Sequence, residues 1–122
     1  MAIADKLWWL PFGSVPEVAP RDLHGRITSA APPQLLDVRT RAEWRNGHIR
    51  GAVSAPITSL GSLLDELALD PERPVVAICL TAHRSIPAVR LLRQHGFADV
   101  AQLEGGMQAW WSAGLPTEVP QA

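Results

Sequence analysis

The sequence predicts an α/β fold, an open, mainly parallel five-stranded sheet with helices on both faces. Three observations lead there. Short apolar runs alternate with helix-like segments along the chain, the pattern of a parallel sheet covered by helices. One run, PVVAICL over 74–80, is apolar throughout, as a central parallel strand buried on both faces requires. The chain has 122 residues, 47% of them apolar, which suits one domain with its own core and is too short for two.

The elements follow in order. Residues 1–14 read as an N-terminal arm, 15–117 as the domain and 118–122 as a tail. The arm's apolar run, Leu7 to Phe12, is broken by Pro11 and is shorter than an export signal's core. Trp8, Trp9 and Phe12 are expected to pack back on the domain, with a membrane surface or a partner as the alternative. No window approaches the roughly 18 apolar residues of a membrane span. Residues 15–18 form a brief edge strand weakened by Pro16. A short helix over 21–27 follows Pro20, then a buried strand over 35–38. A helical turn or two over 41–46 ends at Gly47, and a strand over 52–55 closes at Pro56. Leu60, Leu63, Leu64 and Leu67 form the stripe of an amphipathic helix that stops at Asp70-Pro71. Core burial explains that stripe better than partner docking. After the strand over 74–80, a helix over 85–95 places Ala88, Leu91 and Leu92 on one face and ends at Gly96. A last strand over 100–103 leads to a last helix over 106–113, stopped by Gly114 and Pro116. Trp44, Trp110 and Trp111 read as packing residues.

Composition narrows the function. Eleven Lys and Arg balance twelve Asp and Glu, for a net charge of −1, which argues against nucleic acid as a partner. One cysteine excludes an intrachain disulfide framework and a Cys-rich zinc site, and points to a reducing, cytoplasmic setting. All basic residues except Lys6 are Arg, which favours planar, bidentate anion contacts, with genome composition as the alternative source of the bias.

Ligands of open parallel sheets bind outside the carboxyl ends of the strands. Only one strand ends in a nucleophile, Cys79. It is followed by Leu80, Thr81, Ala82, His83 and Arg84, and then by a helix. The first N–H groups of that helix lack intrahelical partners, its dipole favours negative charge, and Arg84 adds a fixed positive charge. All three favour a thiolate, which is a nucleophile for an electron-poor, anionic substrate. The competing reading makes Cys79 a small core residue, since free cysteines are among the most buried types.

Four motifs then fall in order, and together the chain resembles the rhodanese-like domain family, the single-domain sulfurtransferases. Leu36-Asp37-Val38-Arg39 is similar to the family's D-x-R strand end. Glu43 with Gly47-His48-Ile49, Gly51-Ala52 and Pro56 resembles its E-x-x-x-G-H-I-x-G-A segment. Cys79 to Arg84 with Ser85 resembles its C-x-x-G-x-R-S loop, and Leu103 to Met107 with Trp110 its L-x-G-G-x-x-x-W ending.

The resemblance implies that Cys79 attacks a sulfane donor such as thiosulfate and carries the sulfur as a persulfide. A small thiophile, cyanide or a thiol, or a protein acceptor then removes it. The loop N–H groups from Leu80 to Arg84 would hold the persulfide charge, and Arg84 would bind donor oxygens or brace the loop. No metal or organic cofactor is implied. The loop has four residues between Cys79 and Arg84, against five in the related cysteine phosphatases, and a narrower loop suits one sulfur atom. The chain departs from the family at Ala82, where glycine is usual. A positive φ there would cost Ala roughly 1–2 kcal/mol. The alternatives are a binding or regulatory module without turnover, and a persulfide carrier serving a protein partner.

Other polar residues carry structural expectations. Asp37 is expected to meet Arg39 or the backbone, with Arg84 or a loop N–H as the alternative. Arg39 and Glu43, four apart, are placed to pair across a helical turn. His48 is expected to bond a backbone carbonyl. His83 either tunes substrate charge near neutral pH or faces solvent. Gly105-Gly106 is expected to pack closely beside the active loop.

Overall fold

The computed structural model describes residues 13–120, so the Trp8, Trp9 and Phe12 arm lies outside the described residues. Five strands form one sheet: β1 (Glu17–Val18), β2 (Gln34–Asp37), β3 (Val53–Ser54), β4 (Val75–Ile78) and β5 (Val100–Leu103). Their order is β1-β5-β4-β2-β3, and every pairing is parallel. The expected "mainly parallel" sheet is thus wholly parallel. Four helices connect the strands, α1 (Pro20–Ile27), α2 (Arg41–Asn46), α3 (Leu60–Leu63) and α4 (Ser85–Gln94), and α5 (Gly106–Ser112) follows β5.

Strand periodicity sorts the core into two halves. Leu36, Val38, Val75, Ala77 and Cys79 pack on one face of the sheet with Leu60 of α3, Leu64 just after it, and Ala88, Val89, Leu91 and Leu92 of α4. Leu35, Val76 and Ile78 pack on the other with Leu23 of α1 and Met107 and Trp110 of α5. Alternate residues of one strand point to opposite faces. Cys79 continues the Val75-Ala77 series, so its side chain lies on the α3–α4 face.

Several short elements have local causes. Thr40 and Glu43 form a reciprocal capping box at the start of α2, with side chains and backbone N–H groups exchanging hydrogen bonds. The Leu60 stripe yields only four helical residues, not a helix running to Leu67. Gly61 and Ser62 are weak helix formers, and Ala68 at φ 53° turns the chain into the left-handed region. The stripe still faces inward: Leu60 and Leu64 are buried, while Leu63 and Leu67 are half-buried. At the C-terminal side, His48 and Glu118 exchange two backbone hydrogen bonds of 2.9 and 2.8 Å, which fasten the chain end to the turn after α2. Trp110 is fully buried, and its indole N–H donates to the Pro116 carbonyl. Trp111 is 46% exposed rather than packed, because one step along α5 turns the neighbour of a buried residue outward. No helix among the described residues is long and apolar enough to cross a membrane.

Candidate active site

The loop from Cys79 to Arg84 joins the carboxyl end of β4 to α4. Next to it, Asp37 ends β2, in register with Ile78. Cys79 is 1% exposed. The Ala82 N–H donates to its Sγ at 2.9 Å, and Ser85 Oγ lies 3.5 Å from the same sulfur. The loop therefore curls around the sulfur and supplies a backbone donor to it, an arrangement suited to negative charge.

That curl needs Ala82 at φ 79°, a conformation where glycine is at ease and alanine costs roughly 1–2 kcal/mol. A second turn holds the loop from behind. Gly105 and Gly106 have φ of 71° and 61°, and α5 begins there. The Met107 and Gln108 N–H groups donate to the Cys79 and Leu80 carbonyls at 2.8 and 3.0 Å. A Cβ on Gly106 would meet those same carbonyls at 2.5 Å. The close packing expected of Gly105-Gly106 is what the structure has.

The charged residues pair differently from the expected local pattern. Arg84 donates to both Glu43 carboxylate oxygens, at 2.6 and 2.9 Å. Glu43 therefore does not pair with Arg39. The hydrogen bonds from Arg84 and those of the capping box draw the Glu43 carboxyl down to about 2. Arg84 is raised in turn, chiefly by its hydrogen bonds to Glu43. Arg39, 2% exposed, instead grips Asp37 through Nε and Nη2 and donates to the Gly47 carbonyl at 2.7 Å. The i, i+4 pairing loses because Asp37 and Arg39 flank one buried residue at a strand end, where an unpaired guanidinium would be expensive. Asp37 takes the Arg39 option and touches neither Arg84 nor a loop N–H apart from its own strand extension.

His83 is exposed on the loop and shares a 3.1 Å contact with Thr81 Oγ1. His48 Nδ1 meets the Trp44 carbonyl at 2.8 Å and its ring stacks on Trp44 at 4.1 Å, so it is a structural histidine. Beside the loop a cleft of about 290 Å³ is lined by Arg39, Glu43, Asn46, Gly47, Leu80 and Trp111. A larger cavity of about 500 Å³ lies at the opposite, amino-terminal end of β2, around Pro33, Gln34 and Arg73. The smaller cleft lies at the carboxyl edge beside the Cys79 loop, where ligands of open parallel sheets bind. No cluster among the described residues could hold a metal ion.

The family model of the rhodanese-like domain matches residues 19–113. The chain belongs to the rhodanese-like family. A sulfurtransferase of Allochromatium vinosum is 34% identical over 107 residues, covering 88% of this chain and 98% of that protein. The probable adenylyltransferase/sulfurtransferase MoeZ of Mycobacterium tuberculosis is 34% identical over 93 residues. That match covers 76% of this chain, but the chain spans only 24% of MoeZ. Among solved structures, a rhodanese-related protein from Thermoplasma volcanium superposes with a TM-score of 0.77 at 28% identity, covering 87% of this chain and all of that one. This rhodanese-like chain keeps a cysteine and an arginine at the two ends of its loop.

Gln102 and Glu17 escape sequence reasoning, and Ser85 enters it only as the last position of the loop motif. Ser85 donates to Gln102 at 2.5 Å, and Gln102 donates to Glu17 at 3.0 Å. A signal existed for Gln102: it is the polar residue of the strand VAQL and lies two positions from buried Val100, hence on the same inward face.

Proposed function

We propose that this chain is a sulfurtransferase that moves a sulfane sulfur through a persulfide on Cys79. The observation that carries the reading is the Ala82 N–H aimed at Cys79 Sγ from 2.9 Å, in a loop curled over a strand-end cysteine. The sulfurtransferase of Allochromatium vinosum, similar over nearly its whole length, supports the same reading.

In the first half-reaction the Cys79 thiolate attacks the outer sulfur of the donor. With thiosulfate, the S–S bond breaks and sulfite leaves with the electron pair. Cys79 then carries the sulfur as Cys79–S–S⁻. In the second half-reaction, cyanide attacks that outer sulfur, thiocyanate leaves, and the Cys79 thiolate returns. A covalent intermediate between two substrates gives ping-pong kinetics. The persulfide also carries the reactive atom about 2 Å outward from the buried Sγ, one S–S bond length.

Charge at the mouth bears on the donor. Arg84 is neutralised by Glu43 and Arg39 by Asp37. His83 is the loop's other basic residue. Both arginines of the mouth are thus compensated, so thiosulfate serves as an assay donor more than as the donor these residues favour. Arg84 braces the loop. A reducing, cytoplasmic setting suits a thiol that must return to the reduced state after each cycle.

Intact-mass measurement after incubation with thiosulfate tests the reading. The expected result is a one-sulfur adduct that cyanide removes and that Cys79→Ser lacks. No adduct with thiosulfate or with a low-molecular-weight persulfide, in protein whose thiol still titrates, overturns it.

A further inference from the structure

A buried polar chain runs from the Cys79 sulfur to the protein surface. Sγ lies 3.5 Å from Ser85 Oγ, Ser85 Oγ donates to Gln102 Oε1 at 2.5 Å, and Gln102 Nε2 donates to Glu17 Oε2 at 3.0 Å. Ser85 is fully buried, Gln102 is 4% exposed and Glu17 is exposed on edge strand β1.

The outer end sets the direction of the whole chain. An ionised carboxylate only accepts, so Gln102 must turn its NH₂ toward Glu17 and its carbonyl inward. That carbonyl also only accepts, so it takes the single hydrogen of the Ser85 hydroxyl. Ser85 is left with only lone pairs to offer the sulfur. This contact suits a thiol, which donates its S–H. It also suits the inner sulfur of a persulfide, whose charge sits on the outer atom. It opposes a bare thiolate, because two sets of lone pairs then face each other across 3.5 Å.

We propose that Glu17 is a positioning residue for Cys79: through Gln102 and Ser85 it holds a lone pair against the sulfur and disfavours the bare thiolate relative to the thiol and the persulfide. The persulfide part rests on the sulfurtransferase reading; the thiol part does not. A less stabilised thiolate is a stronger nucleophile once formed and a poorer leaving group. Glu17 therefore slows release of the sulfur to weak acceptors, and the smaller thiolate fraction at neutral pH outweighs the gain in nucleophilicity during attack.

The other charged and titratable groups around the loop are Arg84 with Glu43, Asp37 with Arg39, and His83. None is altered by a change at Glu17, so a difference between variants reports the polar chain or the carboxylate's own charge. The experiment is the pH profile of Cys79 alkylation by iodoacetamide. Glu17→Gln lets Gln102 turn over and lets Ser85 donate to the sulfur. The expected result is a profile moved to lower pH, with alkylation at neutral pH about three to ten times faster. In a Ser85→Ala or a Gln102→Met background the polar chain is cut, and the same Glu17→Gln change should have no effect.

An unmoved profile in Glu17→Gln overturns the proposal. So does an equal displacement of the profile in the cut backgrounds, which would mean that the charge acts through space. Cyanide-driven release from loaded protein should also be faster in Glu17→Gln, because the thiolate leaves more easily. If alkylation changes as expected but no adduct ever forms, the sulfurtransferase reading fails and the positioning role of Glu17 stands.

Discussion

Arg84 and Glu43, 41 positions apart, are joined by two hydrogen bonds of 2.6 and 2.9 Å. Glu43 also closes the capping box of α2. One carboxylate thus starts a helix after β2 and anchors the end of the loop after β4. The two strands are hydrogen-bonded neighbours, so the pair ties together the two strand ends that frame the site.

Glu43→Gln should show what this anchor contributes. The Glu43 carboxyl is lowered from 4.5 to about 2 in the folded protein. A depressed carboxyl stabilises the fold when ionised, so its contribution is complete above pH 4.5 and is lost as pH falls toward about 2. Urea denaturation should find Glu43→Gln less stable at neutral pH by about 1 kcal/mol, a value at the upper end for partly exposed pairs. The gap to the native protein should close on acidification between those two values. A gap that stays constant down to pH 2 would show that the charge on Glu43 is not what matters.

Ala82→Gly should stabilise the protein. Removing Cβ at φ 79° relieves roughly 1–2 kcal/mol, and the added freedom of glycine in the unfolded chain takes back about 0.4–1. A net gain of about 1 kcal/mol is expected, read as a higher midpoint in denaturant. Sulfur loading should be retained, because the donor to Cys79 is the backbone N–H of residue 82. A loss of stability would mean that the Ala82 methyl packs favourably enough to outweigh its backbone strain.

What was legible in the sequence was whatever depends on local pattern. The run over 74–80 had to be a central strand, and its period alone places Cys79 on one face. The order of motifs fixed the loop and its flanking helix. The pairing of charges was not legible, because Arg39 and Glu43 sit at good helical spacing while the partner that Glu43 takes is remote in sequence. Spacing ranks local partners only, whereas burial decides which cation must be neutralised. The T-x-x-E capping box at Thr40 and Glu43 was readable and would have assigned Glu43 to the helix start. The Ser85–Gln102–Glu17 connection joins α4, β5 and β1, and only the sheet order β1-β5-β4 brings those elements side by side.

Gly106→Ala should damage the site from behind. A methyl there would overlap the Cys79 and Leu80 carbonyls at 2.5 Å, and φ is 61°. The overlapped atoms are backbone, so the loop itself must move. Positive φ and overpacking together imply a loss of about 2–4 kcal/mol. Folded protein should also load sulfur more slowly, because the Cys79 and Leu80 carbonyls accept the two hydrogen bonds that seat the loop on α5. Normal loading in a destabilised variant would separate the stability of this turn from the geometry of the loop.

Asp37→Asn tests the buried pair beneath the mouth. Asp37 is fully buried and Arg39 is 2% exposed, so neutralising Asp37 leaves a guanidinium with only partial compensation inside the protein. Breaking a buried pair from one side costs about 3–5 kcal/mol, whereas replacing both partners with apolar groups can be close to neutral. The double variant Asp37→Asn with Arg39→Met should therefore recover part of the stability lost in Asp37→Asn, as measured by denaturant midpoint. Recovery will stop short of full, because Arg39 also donates to the Gly47 carbonyl at 2.7 Å and holds the turn after α2. If the double variant is less stable than Asp37→Asn alone, the Arg39 contact with Gly47 outweighs the burial of its charge, and the arginine stabilises the turn more than it burdens the core.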